Sequence, residues 1–237
     1  MKHLSPLMAL AAALSLTACA YTNHFLDEDE SLTVDTSSDE TLAVLENLNI
    51  STYDQWTYIN IQTGEYEQLD DCTEWYYAGT GDIREAYDGD EPSIEWHIAV
   101  HRYELKTNDA SALATGTYDI TALDALPSGT YTADEIAAYE DEIDLDDGIT
   151  LYMDMTGMMD SNIGYAHYPQ INRVLCNAIT RTATGSMPPY TYDVDGEVIA
   201  LKWDNGDWGA VQIVSTIHTE KSYTGYLTFN FKYVSAE

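Results

Sequence analysis

Positive charge is scarce in this sequence: its 237 residues carry 9 Lys and Arg against 41 Asp and Glu, a formal charge of −32. A surface this acidic repels a phosphate backbone, which excludes nucleic acid as a partner, and it repels anionic lipid for the same reason. Long apolar runs are scarce as well. Beyond residues 7–16 nothing approaches the roughly 20 apolar residues that cross a bilayer as a helix, so the chain after Cys19 is expected in water. Cysteine occurs only at Cys19, Cys72 and Cys176. That is too few for a disulfide framework; Cys72 and Cys176 either pair in an exported protein or remain as two buried thiols. Catalytic signatures are missing too. There is no nucleophile elbow, no Gly-rich phosphate loop and no His-Glu-x-x-His, and carboxylates are too plentiful for a glycosidase pair to stand out, so no enzyme is expected. Asp144-Leu-Asp-Asp-Gly148 lacks the spacing of an EF-hand calcium loop and reads as a turn.

What the chain does contain begins with a leader. Met1-Lys2-His3 is followed by the apolar residues 7–16 and then by Leu16-Thr17-Ala18-Cys19. A charged start, a short apolar run and small residues before the break form a secretory signal over residues 1–18. Leu-Thr-Ala-Cys has the form of a bacterial lipobox, so Cys19 is expected to carry the acyl chains that anchor the protein. Contact with the membrane then runs through the lipid alone. Residues 19–48, acidic and polar at their start, are expected to form a flexible tether. Residues 49–237 remain for one domain.

That domain reads as all-β. Turn dipeptides such as Thr63-Gly64, Asp88-Gly89, Ser128-Gly129, Asp195-Gly196 and Asn205-Gly206 separate short aromatic and β-branched runs. Alternation predicts strands over residues 56–61, 95–103, 148–153, 198–203, 209–214 and 225–233, the last three as a closing meander. Nineteen tyrosines and five tryptophans suit such pleated surfaces. Helical signals are confined to residues 132–139, behind an N-cap threonine, and to residues 39–48.

Histidine offers no metal site by spacing. His97 and His101 share a strand face but stand about 14 Å apart at 3.4 Å per residue, too far to share one ion. His167 and His218 have no partner at ligand spacing, and His24 falls in the tether. Methionine is the unusual residue. Met1 and Met8 belong to the leader, and the other five are Met153, Met155, Met158, Met159 and Met187. Such clustering marks either a soft corner of the core or thioethers placed as soft ligands to a metal or to haem iron. Pro188 and Pro189 stiffen the loop that presents Met187. Thr156-Gly157 suggests a turn that frees Met158, while alternation favours Met159.

Several blocks together carry a family resemblance. Residues 51–65 (Ser51-Thr-Tyr-Asp-Gln-Trp-Thr-Tyr-Ile-Asn-Ile-Gln-Thr-Gly-Glu65) and residues 94–108 (Ile94-Glu-Trp-His-Ile-Ala-Val-His-Arg-Tyr-Glu-Leu-Lys-Thr-Asn108) resemble the opening motifs of the HmuY-type haem-binding lipoproteins of Bacteroidetes. The Met-rich segment, Met187-Pro-Pro and the closing strands follow in that family's order. The resemblance covers nearly all of residues 51–237. It implies a single antiparallel β domain likened to a right hand, with one or two short helices. It also implies a haemophore rather than an enzyme, which captures haem (iron protoporphyrin IX) and delivers it to a TonB-dependent outer-membrane receptor. The implied location is the outer membrane, exposed at the cell surface or released from it, and the acidic cluster behind Cys19 resembles the surface-export signal of Bacteroidetes lipoproteins. Host haemoproteins are one source of haem that the sequence leaves open.

The best-known member uses two axial histidines, whereas this sequence carries Met158 or Met159 near the first ligand's place and Met187 near the second's. It is therefore similar to the branch that binds haem through two methionines, with Met159 preferred and Met158 as its alternate. His97 and Lys202 also depart from the family pattern, with no functional meaning attached. Arg173 and Arg181 lie between the two methionine segments, and at least one is expected to face a haem propionate. The alternative is a surface lipoprotein that binds glycan or protein without haem.

Overall fold

The computed structural model describes residues 31–37, 40–136, 153–166 and 170–236. The leader, Cys19, His24, His167 and the turn expected at residues 144–148 lie outside the described residues. In chain order the first strands are β1 (Ser31–Ser37), β2 (Glu40–Asn49), β3 (Gln55–Ile59), β4 (Tyr66–Asp70), β5 (Trp75–Tyr77), β6 (Asp82–Arg84), β7 (Ile98–His101), β8 (Glu104–Thr107) and β9 (Ser111–Ala114). The next are β10 (Thr132–Ala133), β11 (Glu135–Ile136), β12 (Met153–Gly157), β13 (Asn162–Ala166) and β14 (Gln170–Ile171). After a four-residue helix, α1 (Arg173–Cys176), come β15 (Ile179–Ala183), β16 (Tyr190–Val194), β17 (Val198–Lys202), β18 (Trp208–Ile217) and β19 (Thr224–Val234).

These strands form a seven-stranded sheet in the order β1-β2-β19-β18-β17-β9-β10 and two four-stranded sheets, β4-β3-β7-β8 and β12-β13-β5-β6. Two ribbons, β11-β14 and β15-β16, complete the pairing. The predicted meander appears as β17, β18 and β19, each antiparallel to the next.

The sheet β4-β3-β7-β8 explains the most characteristic sequence block. Strand side chains alternate between faces. Ile59, Ile98, Val100 and Leu105 turn to one side and join Leu45, Leu48, Leu227, Phe229 and Phe231 in the main core. Trp56 and Ala99 turn to the other side and pack with Trp75 and Ala166, flanked by Tyr58, Tyr77 and Trp96. A sheet covered on both faces needs near-continuous burial rather than alternation, and every residue of β7 is buried. His97 and His101 are accordingly core residues. His97 accepts the Ile61 N–H at Nδ1 (3.3 Å) and packs against Trp203 and Tyr233. His101 Nε2 lies 3.0 Å from the Tyr53 carbonyl oxygen. A smaller cluster of Ile120, Leu123, Val198, Ala200 and Ala210 completes the apolar packing.

Two helical expectations are corrected. Residues 40–49 are strand, within the segment assigned to the tether, and they pair with both β1 and β19. Leu42, Leu45 and Leu48 recur every third residue, which reads as helix. A bulge puts two of them on one face: Leu45 faces Phe229 and Leu48 faces Leu227, so three steps on β2 match two on β19, while Leu42, opposite Lys232 in regular register, is half-buried on the other face. Asn47 takes up the extra residue at φ 56°. Over residues 132–139 the described part is strand, β10 and β11. Asp134 is held there because its carboxylate accepts the Thr107 N–H (2.7 Å), the Thr107 hydroxyl (2.8 Å) and an Asn172 amide N–H (2.9 Å).

Cys72 and Cys176 are not paired with each other. Cys176 is buried in the main core, where its Sγ accepts the Leu105 N–H at 3.3 Å.

Candidate functional site

The methionines mark two hairpin tips. At the first, β12 pairs with β13 through a register shift between Asp154 and Gly157. The Asp154 carboxylate accepts the Thr156 N–H at 2.8 Å, which begins the turn. Residues Met158–Asp160 then form one turn of 3-10 helix, closed by Ser161 in the left-handed region at φ 58° with its N–H on the Met158 carbonyl (3.0 Å). Gly157 is needed because a Cβ there would stand 2.2 Å from the Asn162 carbonyl oxygen. The tip is braced from outside as well. Asn162 Oδ1 accepts the N–H groups of Gly79 and Thr80, each at 3.1 Å, tying the β12–β13 tip to the β5–β6 turn.

The second tip joins β15 to β16 over residues 184–189, with Ala183 opposite Tyr190 at its base. The Thr184 N–H bonds the Pro189 carbonyl at 2.8 Å, and Thr184 Oγ1 donates toward the Pro188 carbonyl at 2.5 Å. Gly185 sits at φ +68°, and the Met187–Pro188 peptide bond is cis. The ribbon is anchored to the main core by buried Ile179 and by Tyr192 and Val194 packed against it. Tyr192 also stacks on Tyr103 with ring centroids 3.7 Å apart. Burial pushes the Tyr192 hydroxyl well above the usual tyrosine pKa.

The tips differ from core corners in one respect. Met159 is 82% exposed and Met187 66% exposed, while Met155 and Met158 are half-buried. None of the four joins an apolar cluster. A flexible apolar side chain that fills a gap in the core is buried, so the gap-filling reading fails for Met159 and Met187.

The two arginines part company. Arg173, at the start of α1, forms an ion pair with Glu135. Arg181 lies on β15 opposite Tyr192, and its guanidinium sits 4.8 Å over the Tyr190 ring. Arg181 and Met187 therefore share one hairpin, and Arg173 stands on a different element.

At the other end of the β12-β13-β5-β6 sheet from the first tip, where Trp75 pairs with Ala166 and Arg84, lies a buried polar cluster that motif reasoning does not find. Asp71 is 1% exposed, and its carboxylate accepts the Trp75 indole N–H at 2.5 Å, the Thr73 N–H at 3.1 Å and Arg84 Nη2 at 3.3 Å. Burial pushes its carboxyl upward, but the Thr73 contacts, nearby His101 and the Trp75 bond together hold it below the usual aspartate range. Lys106 sits among three rings, 4.2 Å from the Trp56 centroid, 5.2 Å from Tyr58 and 5.8 Å from Trp96. Burial lowers its pKa. The one signal in sequence is a lone lysine within an aromatic block.

Among known proteins, the model of the HmuY protein family matches residues 52–231. A structure described as an HmuY-like haem-binding protein from Bacteroides vulgatus is 28% identical, with a TM-score of 0.59 over 83% of this chain and 93% of that one. The apo HmuY analogue of Tannerella forsythia is 23% identical, with a TM-score of 0.63 over 89% of this chain and all of that one. Apo PinO from Porphyromonas gingivitis is 22% identical, with a TM-score of 0.66 over 86% of this chain and all of that one. These last two show a shared fold. No curated protein sequence matches the chain. An all-β chain with this strand order, matched by the family model from Thr52 almost to its end, belongs to the HmuY family.

Proposed function

We propose that the protein is a haemophore that captures haem between two thioethers, Met159 on the β12–β13 tip and Met187 on the β15–β16 tip, with Met158 as the alternate to Met159. The single observation that carries this reading is that two large apolar side chains stand in water on braced tips, in a chain of the HmuY family. The 28% identical relative, described as an HmuY-like haem-binding protein, supports haem as the cargo. Haem offers iron with two axial positions, and neutral thioether sulfur is a suitable ligand for each. Tyr190 opens the strand that follows the Met187 tip, and Arg181, on the same hairpin and over the Tyr190 ring, is the cation for a propionate. The fatty anchor on Cys19 keeps the acidic chain at the outer membrane, at the surface or released from it, and a TonB-dependent receptor takes the haem onward. Host haemoproteins are a source within reach of a surface protein.

The test is a haemin titration of the purified protein, oxidised and reduced, followed by the Soret band. Wild type should saturate at one equivalent. Met187→Ala and the Met158→Ala/Met159→Ala double variant should each bind at least about tenfold more weakly, the effect of losing one axial bond of about 1.4 kcal/mol or more. Absence of a saturable change in both redox states would overturn haem capture and leave a surface binder of glycan or protein. Equal affinity in all variants would remove the methionines from the site.

A further inference from the structure

The β12–β13 tip holds more thioethers than one axial bond uses. Met155 lies in β12, and Met158 and Met159 lie in the 3-10 turn that follows it. None of the three is buried, and none packs into an apolar cluster. The backbone keeps them close. Three residues of fully extended chain span at most about 11 Å, so Met155 and Met158 are nearer than that, and the turn brings Met159 beside Met158. Each side chain has three rotatable bonds with which to close the remaining gap. Other ligand types do not gather anywhere comparable: among the described residues no group of three His, Cys, Asp or Glu is placed to hold a metal ion.

We propose that this tip binds a soft monovalent cation, Cu(I), through the thioethers of Met155, Met158 and Met159. Thioethers select Cu(I) over zinc, calcium and magnesium, which prefer imidazole, carboxylate or carbonyl ligands. Three neutral sulfurs leave the charge of the ion uncompensated. Asp154 and Asp160 bracket the triad, and the chain as a whole carries −32, so the field at the tip draws cations in. The ion arrives already reduced and no electron is transferred. Met159 is common to this site and to the haem site, so Cu(I) and haem exclude one another at the tip. The cation site itself needs neither Met187 nor haem.

The test uses the full chain labelled with 13C at the methionine methyls, titrated with Ag(I) as a redox-inert probe. A parallel anaerobic titration places Cu(I) in competition with bicinchoninate. The methyl resonances of Met155, Met158 and Met159 should move together while that of Met187 stays. The Met155→Leu/Met158→Leu/Met159→Leu triple variant should bind one equivalent fewer than wild type, the cysteines being common to both. Met155→Leu alone leaves the proposed axial ligands in place and should weaken Cu(I) at least tenfold with haem affinity unchanged. Met187→Leu should weaken haem at least about tenfold and keep the cation, so failure of either reading is seen separately. Unmoved methyl resonances at the tip, or equal metal stoichiometry in wild type and triple variant, would overturn the proposal. Leucine matches methionine in size and the three positions are outside the core, so the fold persists, which circular dichroism checks.

Discussion

Asp71→Ala is the sharpest probe of the polar cluster at the far end of the sheet that carries the first methionine tip. The wild-type carboxylate is buried, with the Trp75 indole N–H at 2.5 Å and the Thr73 N–H at 3.1 Å. A hydrogen bond to a charged group contributes about 1.5–3 kcal/mol, and an unsatisfied buried N–H costs about 1–3 kcal/mol. Breaking a buried ion pair costs about 3–5 kcal/mol when the surviving charge is stranded. Arg84 is not stranded, because its Nη2 also donates to the carbonyls of Asp71 (2.8 Å) and Thr73 (3.1 Å), and its side chain is 31% exposed. The expected loss is therefore at the low end of that range, about 3 kcal/mol. Asp71→Asn keeps an acceptor for Trp75 and should lose about half as much. The sign of the pH dependence follows from the carboxyl's lowered pKa. Its contribution is fully present above the unfolded value of about 3.9 and is lost as the pH falls through the folded value. Urea unfolding followed by tryptophan fluorescence at pH 7, 5 and 3 measures this. The gap between wild type and Asp71→Asn should be constant from pH 7 to 5 and should shrink at pH 3. A cost below about 1 kcal/mol for Asp71→Ala, or a gap that does not shrink in acid, would refute the reasoning.

Gly157→Ala places a methyl 2.2 Å from the Asn162 carbonyl oxygen, so the tip must shift. We expect about 1–3 kcal/mol of lost stability in thermal unfolding and haem binding weakened about tenfold. Gly185→Ala meets open space, and only its φ of +68° is strained, which should cost about 1 kcal/mol. Native alkylation at pH 8 should label Cys72 and spare Cys176, whose thiol is pushed by burial to about 12; mass spectrometry after proteolysis reads this, and equal labelling would contradict the burial. Because thioethers do not titrate near neutrality, haem affinity should hold from pH 7 to about pH 6, where a histidine ligand would begin to protonate. Reduced haem should bind more tightly than oxidised haem in the same Soret titration, and the reverse order would count against thioether ligation.

Much of the fold is visible in the residues alone. Aromatic and β-branched alternation marks β3 and β7, and the meander of β17, β18 and β19 stands where its period puts it; the strand expected over residues 148–153 lies, but for Met153, outside the described residues. The breaks at Thr156-Gly157 and at Met187-Pro-Pro correspond to two turns, because glycine and proline restrict the backbone locally. The concentration of methionine was legible for the same reason, since composition needs no tertiary contact.

Other features exist only once distant segments meet. Local spacing reads residues 39–48 as helix, but pairing with β19, some 180 residues away, makes the same leucines a bulged strand. Arg173 and Arg181 are alike in sequence until Glu135 occupies the first and Tyr190 receives the second. Cys72 and Cys176 could be joined on paper. Instead Cys176 sits in the main core beside the Leu105 backbone, and Cys72 lies at the loop that carries Gly89, where its sulfur fills the place of a Cβ. Periodicity and turn chemistry act over a few residues and are written in the chain. Ion pairs, burial and strand register depend on which surfaces come together, and those belong to the packed structure.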